Sequence, residues 1–238
     1  MRLDLLQRAL VASREGKSAA LLTAIKTGRQ SFYENGTATG EVPFDDALRE
    51  GVKRALAEDK NQTVETPEGP VFVEAFNPRL RCIIVGAVHI AQPLARMAAL
   101  DGYMVTVVDP RTAFATDERF PGIAVSTDWP DEALEKLKPN RRTAIVTLTH
   151  DPKLDDPALT VALKSDAFYI GALGSKRTHA ARLKRLSEVG FSDADFARIH
   201  GPVGLDIGAV SPSEIAVSIL AQIVLSLRGE RRGKAEAA

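Results

Sequence analysis

The chain has 238 residues, enough for a domain of about 150 residues with a smaller companion. Its 31 Lys and Arg balance 31 Asp and Glu, which excludes the bulk positive charge that draws a protein onto nucleic acid or an anionic membrane, so any anion must be held by a local site. A single cysteine, Cys82, excludes an internal disulfide and a cysteine-rich zinc site, and a lone thiol suits the reducing cytoplasm, where we place the protein.

The first residues carry charges inside the apolar stretch, unlike a signal peptide or a membrane span. Leu3, Leu5, Leu6, Leu10 and Val11 recur at helical spacing, which predicts an amphipathic helix over 2–14. An apolar run from Ala19 to Ile25 leads to Ser31-Phe32-Tyr33 and the turn signal Asn35-Gly36, the pattern of a short hairpin. A helix is expected over 44–57, and a second hairpin pairs 63–66 with 71–75 through Pro67-Glu68-Gly69. Residues 1–77 therefore read as a small N-terminal α+β domain that ends near Asn77-Pro78.

Over 78–228, short β-branched runs alternate with helical ones, the sequence form of a parallel sheet wound with helices. The expected fold class is α/β and Rossmann-like. Strands are predicted at 82–85, 104–108, 123–126, 144–148 and 168–170, and helices at 90–101, 131–137, 156–164, 176–189 and 212–227. Residues 229–238 lack apolar periodicity and read as a flexible tail.

Open α/β sheets bind ligands outside the carboxyl ends of their strands, where helix N-termini present unpaired N–H groups. That rule selects Gly86-Ala87-Val88-His89 after the first strand, Asp109-Pro110-Arg111 after the second, Thr149-His150-Asp151 after the fourth and Gly171 to Arg177 after the fifth. Asp109 follows Gly86 by 23 residues, close to the ~20-residue spacing at which a Rossmann acid meets a ribose hydroxyl. Val88, however, stands where a dinucleotide fingerprint needs its second glycine, and its side chain would crowd a pyrophosphate. The segment 171–177 is the better anion site: Gly171 and Gly174 allow close backbone approach, Ser175 can cap the next helix, and Lys176 and Arg177 add positive charge. It can equally be a tight turn with solvated basic residues.

His150 and Asp151 can form an acid–base pair, or Thr149 and Asp151 can simply cap a turn. No metal site is expected. His179 and His200 are placed on helix and loop surfaces, and Cys82 in the core. Near the end, Gly204 to Ala209 precede a helix opened by Ser211-Pro212-Ser213-Glu214, a capping box, and Asp206 can point a carboxylate into the same cleft.

Read in order, Gly86-Ala87-Val88-His89-Ile90-Ala91, Val108-Asp109-Pro110-Arg111, Phe114-Ala115, Arg119-Phe120-Pro121, Thr149-His150-Asp151, Tyr169 to Ser175, Gly204 to Ala209 and Glu214-Ile215-Ala216 resemble the Rossmann domain of the XdhC/CoxI family from about residue 80 to 225. The resemblance implies an accessory protein that binds molybdenum cofactor (molybdopterin), supports its sulfuration and hands it to the apoenzyme of a xanthine dehydrogenase-type molybdenum hydroxylase. It implies a chaperone more than a turnover enzyme. Molybdopterin carries one terminal phosphate, which does not need the missing second glycine. Full-length family members carry a Gly-Ser-x-Pro-Arg-like stretch and a Gly-Gly-Cys segment, and neither occurs in the first 76 residues here. A separately encoded N-terminal-type XdhC/CoxI protein, the apoenzyme or a second copy of the chain are the partners this implies. The competing readings are an NAD(P)-dependent oxidoreductase, with Asp109 or Arg111 at the ribose and His150 as proton donor, and an inert scaffold subunit that keeps the fold.

Overall fold

A computed structural model describes residues 3–235, with side chains described through Gly229. The first residue of the helix expected over 2–14 and the last three of the expected tail lie outside the described residues. The chain divides into two units between Arg79 and Leu80.

The first unit runs α1 (Leu3–Arg14), β1 (Ala19–Ala24), β2 (Gln30–Glu34), β3 (Thr37–Gly40), α2 (Asp46–Glu58), β4 (Gln62–Thr66) and β5 (Gly69–Phe76). Its strands form an antiparallel sheet in the order β3-β2-β1-β5-β4. Asn35 and Gly36 take positive φ angles of 51° and 86° and reverse β2 into β3, as the Asn-Gly signal predicts. The apolar run expected before the hairpin is β1, the central strand. Because side chains alternate across a strand, Ala20 and Leu22 meet Leu48, Val52 and Ala55 of α2, whereas Ala19 and Leu21 meet Leu5, Ala9 and Ala12 of α1. One helix thus covers each face. Asp45 starts α2 by accepting the Leu48 amide at 2.8 Å.

The second unit runs β6 (Arg81–Val85), α3 (Ala91–Leu100), β7 (Met104–Val108), β8 (Ala124–Ser126), α4 (Pro130–Leu137), β9 (Thr143–Thr147), α5 (Pro152–Lys164), β10 (Tyr169–Ala172), α6 (Lys176–Glu188), α7 (Asp193–Phe196), β11 (Ile199–His200) and α8 (Pro212–Ala235). All strand pairs are parallel, in the order β11-β10-β9-β6-β7-β8, so the predicted Rossmann-like fold is present. Cys82 and Ile84 of the central strand face α3 and α8, while Ile83 and Val85 face α4, α5 and α6, and all of them are buried. That double burial is why these strands read as unbroken apolar runs.

Several elements depart from expectation, among them the four-residue α7, which lies in no predicted helix. The two-residue β11 adds a sixth strand, and His200 lies in it with its ring stacked on Tyr169 at 4.7 Å instead of on a loop surface. Helix α5 begins at Pro152 rather than 156 because Asp151 accepts the Lys153 amide at 2.9 Å and Pro152 suits the first turn; Pro157 gives up one hydrogen bond within it. Helix α8 continues to Ala235, through residues expected to belong to the tail. Its capping box forms as predicted: Glu214 accepts the Ser211 amide at 2.8 Å, and Ser211 Oγ accepts the Glu214 amide at 3.3 Å.

Candidate functional site

Strand order reverses at β6, with β7 and β8 on one side and β9, β10 and β11 on the other. The loops leaving β6 and β9 diverge there, opening the crevice in which doubly wound sheets hold ligands.

At the β6 loop, Gly86 has φ of 107°, and a Cβ there would sit 2.6 Å from Thr149 Cγ2. Glycine is needed so that this loop can pass the loop after β9. The Ala87 amide, which could face a phosphate, donates instead to Asp109 Oδ2 at 2.8 Å. Helix α3 offers few free donors at its start: the Ala91 amide bonds to the Val88 carbonyl at 3.0 Å, and Pro93 has none. His89 is exposed beside this turn.

Asp109 is fully buried. Its Oδ1 accepts the Arg111 amide at 3.0 Å and Arg111 Nε at 2.9 Å, while Oδ2 accepts Arg111 Nη2 at 2.8 Å together with the Ala87 amide. A carboxylate has about four lone-pair positions, and all are filled from within the chain. The expected meeting with a ribose hydroxyl is therefore not what Asp109 does; it fixes Arg111 and the Gly86-Ala87 turn. Burial acts to raise its pKa, but the bonds from Arg111 and the two amides outweigh it and hold the carboxyl below its ordinary value. The bond to Asp109 holds the Arg111 pKa above its ordinary value, so Arg111 keeps its charge, with the carboxylates of Asp151 and Asp155 adding to the effect.

Beyond β9, the buried Asp155 organises the Thr149-His150 turn. Its Oδ1 accepts Thr149 Oγ1 at 2.6 Å and the Thr149 amide at 3.3 Å, and its Oδ2 accepts the His150 amide at 3.1 Å. The buried Arg182 of α6 donates to Oδ2 at 3.4 Å and to the Leu173 carbonyl at 2.8 Å. This ties the β9 loop to the β10 loop. His150 is held at φ of 62° with its imidazole exposed. No side-chain hydrogen bond joins His150 and Asp151 among the described residues; Asp151 Oδ1 accepts the Lys153 amide at the start of α5.

At the β10 loop, Gly171 lies within the strand, and a Cβ there would meet Val203 Cγ2 at 2.6 Å and the Tyr169 hydroxyl at 2.8 Å. Its smallness serves packing against Val203 and Tyr169. Gly174 has φ of 141° and leads into Ser175, whose Oγ caps α6 by accepting the Thr178 amide at 3.1 Å. The amides of Lys176 and Arg177, with both side chains exposed, begin the helix without an intrachain hydrogen bond among the described residues. Asp206 is exposed just past Leu205, whose amide is fastened to the Ser218 carbonyl of α8 at 3.2 Å.

Asp155 and Arg182 were not anticipated as site residues. Their signal was a charged residue at a core-facing helical position: Arg182 is four residues before the buried Leu186, and Asp155 lies between the buried Leu154 and Ala158. His179, expected on a surface, is partly buried against Gly201, and burial and the neighbouring Arg182 lower its pKa. Cys82 is buried in β6, and desolvation pushes its thiol up to about 12. No group of three or more His, Cys, Asp or Glu is placed to hold a metal among the described residues.

Residues 82–223, more than half of the chain, match the family described as the XdhC Rossmann domain. This chain belongs to the XdhC family. This XdhC protein is 34% identical over 214 residues to a probable xanthine dehydrogenase subunit of Bacillus subtilis (strain 168), a match covering 88% of this chain and 61% of that one. It is 34% identical over 152 residues to the "Molybdenum cofactor insertion chaperone PaoD" of Escherichia coli (strain K12), covering 64% of this chain and 42% of the relative. The crystal structure of a xanthine dehydrogenase from Bacillus halodurans superposes with a TM-score of 0.70 at 27% identity, over 95% of this chain and 64% of the other. The B. subtilis match is longer than the Rossmann unit and so reaches into the antiparallel unit. The XdhC chain described here spans less than two thirds of the length of each of these proteins.

Proposed function

We propose that this XdhC protein binds molybdenum cofactor as cargo at the carboxyl edge of its parallel sheet and assists its insertion into a xanthine dehydrogenase-type molybdenum hydroxylase in the cytoplasm. It acts as a cofactor chaperone more than as a turnover enzyme. The observation that carries this reading is the contrast between helix α3, which follows β6, and helix α6, which follows β10, at the same edge of the sheet. Helix α3 keeps one open amide in its first turn, Gln92, between the bonded Ala91 amide and Pro93, with Val88 in the loop before it, whereas α6 begins with two, Lys176 and Arg177, beside Gly174 and Ser175. A single phosphate suits the second and not the first. The name of the E. coli relative points the same way.

In this reading Gly174, Ser175 and Lys176 hold the terminal phosphate. Arg111, His89, His150, Thr149 and Asp206 line the rest of the crevice, where the cargo's pterin and metal end would lie. The residues fit the anionic part of the cargo. No thiolate is available for the metal, since Cys82 is buried and its thiol titrates far above neutrality. In this reading a sulfur ligand, where the transfer needs one, comes from outside these residues, as from a separately encoded N-terminal-type XdhC/CoxI protein or the apoenzyme. An NAD(P)-dependent oxidoreductase is a poorer reading because Asp109 has no acceptor left for a ribose.

Calorimetric titration tests the proposal directly. Molybdopterin should bind more tightly than NAD, and Lys176→Ala should weaken it about tenfold, the order of one charge-assisted hydrogen bond, with affinity falling as salt is added. Micromolar NAD affinity with no measurable molybdopterin affinity would overturn it.

A further inference from the structure

The loop after β7 carries an arrangement that the α6 phosphate site does not use. Phe114 is 44% exposed at the carboxyl edge of the sheet. The guanidinium carbon of Arg111 lies 4.8 Å from its ring centroid and that of Arg119 5.8 Å, with Arg119 also 5.6 Å from the ring centroid of Phe120, so two cations border the Phe114 ring. Each is fixed by a separate bond. Arg111 is clamped through Nε and Nη2 by the buried Asp109, and Arg119 Nη1 donates to the Phe114 carbonyl at 2.7 Å. Arg111 Nη1 and Arg119 Nε and Nη2 make no hydrogen bond among the described residues. Asp117 and Glu118 adjoin Arg119 in sequence, yet Arg119 forms no ion pair among the described residues.

Like charges beside one ring repel one another, and a cation–π contact returns only about 0.5–1 kcal/mol at an exposed ring. Planar guanidinium groups with donors to spare on a pre-set frame are the usual receptor for an oxyanion. An anion between them would relieve the repulsion and take up the spare N–H groups. We infer that Arg111, Arg119 and Phe114 form a second oxyanion subsite, which takes a phosphate monoester or a comparable dianion carrying a planar ring. The inference shares its location with the proposed cargo site and rests on that reading only for the ring's identity. With the α6 site it would give the crevice two anion-holding ends.

Amide and arginine Nε–H NMR of the full chain, titrated with inorganic phosphate and with phenyl phosphate, separates the two sites. Phosphate should shift the signals of residues 111–119, and phenyl phosphate should do so at severalfold lower concentration because its ring meets Phe114. Arg119→Ala should remove the shifts at 111–119 and leave those at 174–178. Phe114→Leu, which disturbs no charge, should cancel the preference for phenyl phosphate while the variant keeps its wild-type melting curve. No shift at 111–119, or shifts there that survive Arg119→Ala, would overturn the subsite. Shifts at 174–178, abolished by Lys176→Ala, judge the α6 site independently, so either can fail while the other stands.

Discussion

Asp109 shows how a residue can be chosen by spacing and then employed differently. Its distance from Gly86 is legible in the sequence. That Arg111, two residues on, would consume its acceptors is not, because the bidentate bond depends on how the chain turns at Pro110. Its folded pKa lies below the unfolded value of about 3.9, so its ionised form contributes stability that is present above that pH and is lost as pH falls through the lower folded value. The stability gap between the wild type and Asp109→Asn should therefore be widest near neutrality and close in strong acid. Urea midpoints at neutral and acid pH check this, and a gap independent of pH would contradict it. Arg182 is a harsher case. Replacing it with Leu leaves Asp155 buried without its cation, which should cost about 3–5 kcal/mol by denaturant unfolding, whereas replacing both Arg182 and Asp155 with apolar residues should cost less.

Whole elements were easier to read than their ends and their smallest members. The strands β6, β7 and β9 and the helices α3, α6 and α8 were evident because burial on both sheet faces leaves long apolar runs and helical periodicity. Strand β11 escaped, since two residues carry no alternation, and its place is set by pairing with β10 instead of by its own composition. The loops between elements hide their steric fit in the same way. Gly86→Ala should strain a positive-φ backbone and strike Thr149, lowering the thermal midpoint by several degrees, and adding Thr149→Ser should recover the steric share because Cγ2 is then absent. Equal midpoints for the single and double variants would place the whole cost in the backbone.

Each unit of the molecule has its own closed cores. The Rossmann unit has two apolar clusters, one on each sheet face, drawn wholly from residues after Arg79. Residues 80–238 expressed alone should therefore unfold in one cooperative transition, as followed by circular dichroism; a non-cooperative melt would mean that the antiparallel unit completes the fold. The Rossmann fold could be foreseen because strand and helix patterns repeat over many residues. The division of labour among the edge residues could not, because it depends on side chains that meet only after folding. Cys82 offers a different use of this architecture. The molecule's one thiol sits in the central strand, covered on both faces and hard to ionise, so a thiol reagent can reach it only when the sheet itself opens. Its alkylation rate is a built-in clock for the opening of the parallel sheet, readable by mass spectrometry in an unmodified chain, and a bound cargo that stabilises the closed sheet would slow it.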